Sequence, residues 1–350
     1  MFRKRIDKLI NTNKASGYYI TSPENLYYFS GFTGGEGVVF ISTEHRLLFT
    51  DSRYTIQAKE ESKDFEIIDI AEKKFSDFLK EENIKSVGLE EDFVTLDRYD
   101  LLKKITDKTE WIFISNEISD IRKIKDEYEL SCIKTAARLA DDAFSYVLPK
   151  ISTGKTEREI ALLLEFFMKE NGADGLSFET IAASGARSAL PHGAATDKKI
   201  QKNEFLTLDF GCKYKGYSSD MTRTVVIGKA TDVMKEIYET VLLAQNTALS
   251  KIKSGVLASS VDEVAREIIK KAGYGDNFGH GLGHSLGLNV HEPPSLSPRC
   301  NEILRANELM TVEPGIYIEN FGGVRIEDLV VIKDNGYVNL VSSPKELIEL

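Results

Sequence analysis

Cysteine is scarce, long apolar runs are missing and positive charge is in deficit, and each shortage closes off a class of protein. The three cysteines, Cys132, Cys212 and Cys300, are odd in number and far apart with no CxxC spacing. That excludes a disulfide framework or a cysteine metal cage and predicts reduced thiols in a cytoplasmic protein. No segment approaches the roughly 18 consecutive apolar residues that span a bilayer. The basic start Met1-Phe2-Arg3-Lys4-Arg5 is not followed by the apolar stretch of a secretory signal. With 55 acidic against 45 basic residues the net charge is -10, which argues against nucleic acid or an anionic membrane as a partner. What remains is an ordinary globular composition, 42% hydrophobic and 29% charged, over 350 residues, too long for one typical domain and about right for two.

Against that background one phrase is written twice. Asn203-Glu204-Phe205-Leu206-Thr207-Leu208-Asp209-Phe210-Gly211 and Asn307-Glu308-Leu309-Met310-Thr311-Val312-Glu313-Pro314-Gly315 carry an acid at the same place, and a second acid follows each, Asp220 and Glu327. Upstream, Ile151-Ser152-Thr153-Gly154 and Ile252-Lys253-Ser254-Gly255 each introduce a helical pattern, ending near Gly172 and Gly273. Gly154 and Gly255 are 101 positions apart, and Asp209 and Glu313 are 104 apart. Offsets this close predict a duplicated α/β unit, the alternative being chance similarity of two helix-then-strand units.

Before the duplication, β-rich runs at Tyr18 to Thr21, Gly37 to Ser42, Leu47 to Thr50, Phe65 to Ile70, Ser86 to Leu89 and Trp111 to Ser115 alternate with helical patterns and predict a mixed α/β domain. The Gly-rich stretch Gly31 to Gly37 precedes a strand instead of opening a helix after one, so it reads as a turn and not as a phosphate loop. The polar segment Asn116 to Asp126 is expected to be a linker, followed by a long amphipathic helix from roughly Asp126 to Leu148. The fold class is a two-domain α/β protein, with domains at 1–118 and 119–350.

Four of the five histidines lie in the second domain, His192, His280, His284 and His291, and three of them fall in one Gly-rich window from Phe278 to Glu292. Glycine there permits close approach to a ligand or another strand. A lone histidine is more often structural, which is the reading for His45 beside Arg46 in a turn. Asp209 ends the apolar run Phe205-Leu206-Thr207-Leu208, where an ionised carboxylate is costly unless paired or bound to a cation. Asp209 with Asp220, and Glu313 with Glu327, each fit two strands of a hairpin. Singly, each acid could be a surface residue or a salt-bridge partner; the matched placement of all four makes that reading improbable. Four carboxylates cancel two divalent cations and leave a neutral histidine as fifth ligand, an oxygen-rich set that favours Mn, with Co, Fe or Zn as alternatives. Such a pair acidifies a shared water and polarises a carbonyl, so the reaction implied is hydrolysis.

At these residues the chain resembles the proline-specific peptidases of the creatinase/methionine aminopeptidase superfamily, the pita-bread fold. The resemblance is carried by Ser188-Ala189-Leu190-Pro191-His192-Gly193, Leu208-Asp209-Phe210-Gly211, Ser219-Asp220-Met221-Thr222-Arg223-Thr224, Gly283-His284, His291-Glu292-Pro293, Val312-Glu313-Pro314-Gly315 and Gly323-Val324-Arg325-Ile326-Glu327-Asp328. It covers nearly the whole second domain and weakens over the first, where Thr50-Asp51-Ser52-Arg53-Tyr54 still resembles a creatinase-like amino-terminal domain.

The resemblance implies a pseudo-twofold catalytic domain with two metal ions held by Asp209, Asp220, His284, Glu313 and Glu327, Asp220 and Glu327 bridging. His192, His280 and His291 then line the cleft and hold the scissile carbonyl, Glu313 shuttles a proton, and Arg325 orients the ligands. It also implies a homodimer, with Arg53 or Tyr54 as candidates to reach across it. The expected substrates are short peptides with proline at the second position, cut by an Xaa-Pro aminopeptidase. The alternative is an Xaa-Pro dipeptidase (prolidase), which neutralises the proline carboxylate, usually with an arginine; prolidases place one at the position held here by Ser295, and the nearest arginine is Arg299. A non-catalytic protein-binding module of the same fold is a third reading, at odds with the intact ligand set.

Overall fold

β-Branched and aromatic runs separated by short helices give the first unit, Met1–Arg122, one six-stranded mixed sheet in this computed structural model, which describes residues 1–106 and 108–350. Across the sheet the strands run Glu66–Asp69, Arg46–Thr50, Val38–Ser42, Gly17–Ile20, Ser86–Leu89 and Glu110–Phe113, antiparallel in the middle and parallel at both flanks. Each falls on one of the expected runs. Tyr19, Phe40, Phe49, Phe75 and Phe78 pack one face in tilted and edge-on pairs, the Phe40 and Phe78 rings 5.1 Å apart. Gly31, at φ 81°, is the left-handed stop of the helix Pro23–Ser30, so the Gly-rich stretch is a turn.

The expected linker is different. Most of Asn116 to Asp126 belongs to a helix, Ser115–Lys123, and the division between the two units falls at its end. Polar composition misled because the helix needs little buried surface: Ile118 within it and Ile114 just before it, four apart, are buried, and the amides of Ile114 and Ser115 are taken by the Glu91 carboxylate.

The second unit, Lys123–Leu350, begins with the predicted long helix, Glu127–Val147, started by a capping box between Asp126 and Glu129. After it the two halves repeat bond for bond. Gly154 and Gly255, at φ 92° and 87°, donate to the carbonyls of Ile200 and Leu304 ahead of the helices Glu157–Glu170 and Ala258–Lys271. Asn203 and Asn307, at φ 61° and 68°, donate to the carbonyls of Ile227 and Ile332. The doubled phrase then becomes the strands Glu204–Phe210 and Leu309–Val312, antiparallel to Met221–Ile227 and Asp328–Lys333.

Register decides where the acids go. Asp209 lies opposite Thr222, so Asp220 sits just before its strand; Val312 lies opposite Asp328, so Glu313 and Glu327 flank that pair. The halves are stitched together by the Glu327 amide donating to the Thr222 carbonyl at 3.1 Å and the Arg325 amide donating to Thr224 Oγ1 at 3.2 Å. All four acids therefore meet at one seam. Among the described residues, no helix is long and apolar enough to cross a membrane.

Arg223, 1% exposed, fixes this seam to the carboxy-terminal segment by donating to the carbonyls of Thr222, Glu327, Ser343 and Pro344 and to Asp328 Oδ1. Arg223→Met removes the guanidinium from Asp328 Oδ1, leaving that buried carboxylate to Lys345 and Asn339, and strands several buried carbonyls, and is expected to lower the unfolding free energy in urea by about 3 kcal/mol or more. A loss below about 1 kcal/mol would contradict this account of the seam.

Candidate metal centre

Asp209, Asp220, His284, Glu313 and Glu327 line a single cavity of about 550 Å³, and His192, His280, His291 and Arg325 line the same cavity. Asp220, His284 and Glu327 bring one donor atom each to within 4.8 Å of one another. His284 Nε2 lies 3.3 Å from Glu313 Oε1 and 3.7 Å from Asp220 Oδ2. His45 belongs to the first unit, edge-on to Phe78 and 3.5 Å from Glu82. Arg53 there pairs with Asp51 and Glu36 of its own chain.

The tautomer of His284 decides what this cluster can hold. Its Nδ1 is 3.0 Å from the Ser285 carbonyl oxygen, which can only accept, so Nδ1 carries the proton and Nε2 presents a lone pair. Burial keeps the ring neutral, its pKa down to about 4. A lone pair thus faces carboxylates, acceptors against acceptors. Asp209 Oδ1 and Glu327 Oε1 are buried with no hydrogen-bond partner among the described residues. With only protein groups around them, burial and neighbouring negative charge push Asp220 and Glu327 well above the usual carboxylate range. Burial, reinforced by Asp209, takes Glu313 up to about 8. Uncompensated burial costs several kcal/mol per ion. Divalent cations supply the missing charge, and four carboxylates with one neutral imidazole are a donor set that fits them.

Arg325 supplies the donors that the cluster does have. Its Nη2 donates to Asp209 Oδ2 at 2.5 Å, its Nε to Thr222 Oγ1 at 3.1 Å and its Nη1 to Tyr317 Oη at 2.7 Å. Thr222 Oγ1 in turn donates a hydrogen bond to Glu327 Oε2 at 2.7 Å, so one guanidinium orients an acid from each half. Thr311 Oγ1 likewise accepts from the His284 amide and donates to Glu313 Oε1. Thr222, Thr311 and Tyr317 escaped the sequence reading, although a threonine two places before the acid stands in both copies of the doubled phrase.

The hydrogen bonding of His280 departs from the expectation that it holds the substrate carbonyl. Its Nδ1 meets the Gly281 carbonyl at 2.8 Å and its Nε2 meets Tyr317 Oη at 2.9 Å. Burial holds the ring near pKa 4. The neutral ring therefore donates to Gly281 and accepts from Tyr317, with no N–H left over for a substrate. His280 acts on the cavity by fixing Tyr317. His192 and His291 are exposed on the cavity wall, and the His291 ring lies 4.3 Å from that of His284, tilted 57° to it. Buried carboxylates hold the loops behind two of these rings. Glu157 accepts from Ser184, Arg187 and Thr196 around His192, and Asp262 accepts from Leu282 and from Arg266, which donates to the carbonyls of Phe278 and His280.

A model of metallopeptidase family M24 matches residues 131–334, and one of the creatinase/prolidase N-terminal domain matches residues 3–124. The chain belongs to metallopeptidase family M24. This M24 chain is 40% identical to the Xaa-Pro dipeptidase of Pyrococcus furiosus over 354 residues, covering 99% of this chain and 100% of that relative. It is similar to the solved X-Pro aminopeptidase from Thermotoga maritima MSB8, with TM-score 0.92 and 42% identity over 99% of this chain and 100% of that one. It is also similar to the prolidase from Pyrococcus horikoshii OT3, with TM-score 0.93 and 40% identity over 99% and 100%. The two-domain architecture is accordingly a creatinase-type amino-terminal domain followed by an M24 pita-bread domain.

Because Glu313 titrates near 8 when only protein groups surround it, loading chelator-stripped protein with Mn at pH 7 should release protons. Calorimetry in buffers of different ionisation enthalpy measures that release, which should shrink at pH 9, above the Glu313 value. The sign is the same for folding: a carboxyl raised from 4.5 to about 8 stabilises the metal-stripped fold fully only below 4.5, and the contribution is lost as pH rises through 8. Binding without proton exchange at pH 7 would contradict the buried, acid-rich reading.

Proposed function

We propose that this chain hydrolyses the peptide bond preceding proline, and that Xaa-Pro dipeptides are its preferred substrates, the prolidase reading. The likeness to Xaa-Pro dipeptidases from two Pyrococcus species, at 40% and 41% identity over 99% of the chain, carries it. That support favours the alternative of the sequence reading over its first choice, an Xaa-Pro aminopeptidase. Asp209, Asp220, His284, Glu313 and Glu327 would hold two divalent ions, with Mn the first choice. When bound, those ions acidify water and polarise the scissile carbonyl. Glu313 accepts a proton from the water and delivers it to the departing proline nitrogen, a tertiary amide nitrogen with no hydrogen of its own. His192 and His291, on the cavity wall, donate to the carbonyl oxygen as it gains charge. Arg325 and Thr222 keep the Asp209 and Glu327 carboxylates aimed inward.

One observation favours the aminopeptidase as second reading. Ser295 lines the cavity with its hydroxyl 3.0 Å from that of Ser297, while Arg299 is exposed on the turn beyond. Arg325, on the cavity wall, is committed to Asp209 and Tyr317. Among the described residues lining the cavity, the imidazoles of His192 and His291 are then the groups left to meet a proline carboxylate. A matched series of Xaa-Pro, Xaa-Pro-Yaa and Xaa-Pro-amide peptides decides. The dipeptide is expected to show the highest kcat/KM, with amidation costing about tenfold or more, the scale of one lost charged contact. Ser295→Arg should widen that margin. Equal or faster cleavage of tripeptides by the unmodified protein moves the assignment to aminopeptidase, and no cleavage of any Xaa-Pro bond by the Mn-loaded protein refutes the proposal.

A further inference from the structure

His291 rides on a loop whose position is set by a charge that the histidine does not carry. Glu292, the next residue, is buried, and its Oε2 accepts from Lys125 Nζ at 2.9 Å, the two side chains being 7% and 1% exposed. Its Oε1 accepts from the Asn289 amide at 3.2 Å. Gly287 crosses the same carboxylate so closely that a Cβ there would lie 2.7 Å from Oε1. The Gly287 carbonyl in turn accepts from the Ser218 amide at 2.8 Å, two residues before Asp220. Lys125 is anchored by its own amide, which donates to the Asn307 carbonyl at 3.0 Å immediately before the cap of the long helix. One carboxylate thus ties the loop 287–292 to the framework that presents the acids.

The His291 ring needs such a tether. Among the described residues no hydrogen bond holds it, and its ring contact is the tilted approach to His284. Its aim then depends on its backbone, which the Glu292 side chain fixes from the adjacent position. A buried ion pair is an inefficient way to gain stability, because desolvation offsets most of the attraction and an apolar pair often serves as well. Directed bonds at fixed lengths are what an apolar pair lacks.

We propose that Lys125 and Glu292 are positioning residues for His291 in the Xaa-Pro peptidase reaction, a claim that rests on the functional reading above. The test is the double variant Lys125→Met/Glu292→Gln, in which both charges are gone while the glutamine oxygen still accepts from Asn289. Its kcat on an Xaa-Pro dipeptide should fall about tenfold to a hundredfold, the cost of a misplaced group, with KM and bound Mn near the unmodified values. In a His291→Ala background the same pair of changes should cost nothing further, since its effect passes through a ring no longer present. Lys125→Arg, which keeps the ion pair, should retain most of the activity. Glu292→Gln alone, expected to show the same loss, replaces the double variant if that does not fold.

Equal losses in both backgrounds, or kcat within about twofold of the unmodified protein, would overturn the proposal. A readout independent of activity separates this failure from failure of the functional reading. In Zn-loaded protein, free of the paramagnetic broadening that Mn imposes on a ring beside His284, the His291 imidazole NMR signal, assigned by its disappearance in His291→Ala, should shift in the double variant while the His45 signal stays fixed. An unmoved His291 signal overturns the positioning role, whatever substrate the protein cleaves.

Discussion

The structure turns on an excess of hydrogen-bond acceptors gathered where water is largely excluded. Four carboxylates and the Nε2 lone pair of His284 converge on one seam, and the donors that reach them, from Arg325, Thr222 and Thr311, satisfy only part of the set. Asp209 Oδ1 and Glu327 Oε1 are left over. Such a balance is relieved either by protons on the carboxyls, which is why burial raises Asp220, Glu313 and Glu327, or by cations, because each unpaired buried ion costs several kcal/mol. The fit of the cluster to divalent cations is therefore a property of the protein groups themselves.

Duplication is how the fold delivers that cluster. The paired left-handed asparagines and glycines and the paired strand registers put each acid at the same place in its half, so a single seam between halves collects all of them. The symmetry breaks where the chemistry needs it to. Imidazole comes to the acids only from the second half, at His284, and the guanidinium of Arg325 crosses to Asp209 in the first. Two copies of the first half would present four acids with neither the imidazole of His284 nor the guanidinium of Arg325.

The acids and histidines were legible in the sequence because they sit on repeated or locally dense patterns, and local register is enough to place them. The six strands of the first unit were legible for the same reason. The helix Ser115–Lys123 was not, since its polar composition concealed the buried Ile118, which pairs with Ile114 just ahead of the helix. Nor were the bonds of His280 and Arg325 to Tyr317: Arg325 lies 8 positions from that tyrosine and His280 lies 37. Lys125 and Glu292, 167 residues apart, leave no local signal at all. What sequence hid was which donor meets which acceptor across the fold, and that is what assigns tautomers and separates a ring that can donate to substrate from one that cannot.

The most direct test is anomalous X-ray diffraction at the manganese edge from crystals of chelator-stripped protein reloaded with Mn. The account predicts two anomalous peaks at the seam, contacted by Asp209, Asp220, His284, Glu313 and Glu327, with Asp220 and Glu327 touching both. Manganese bound only elsewhere, or a seam that stays free of metal while its carboxyls remain protonated, would contradict it.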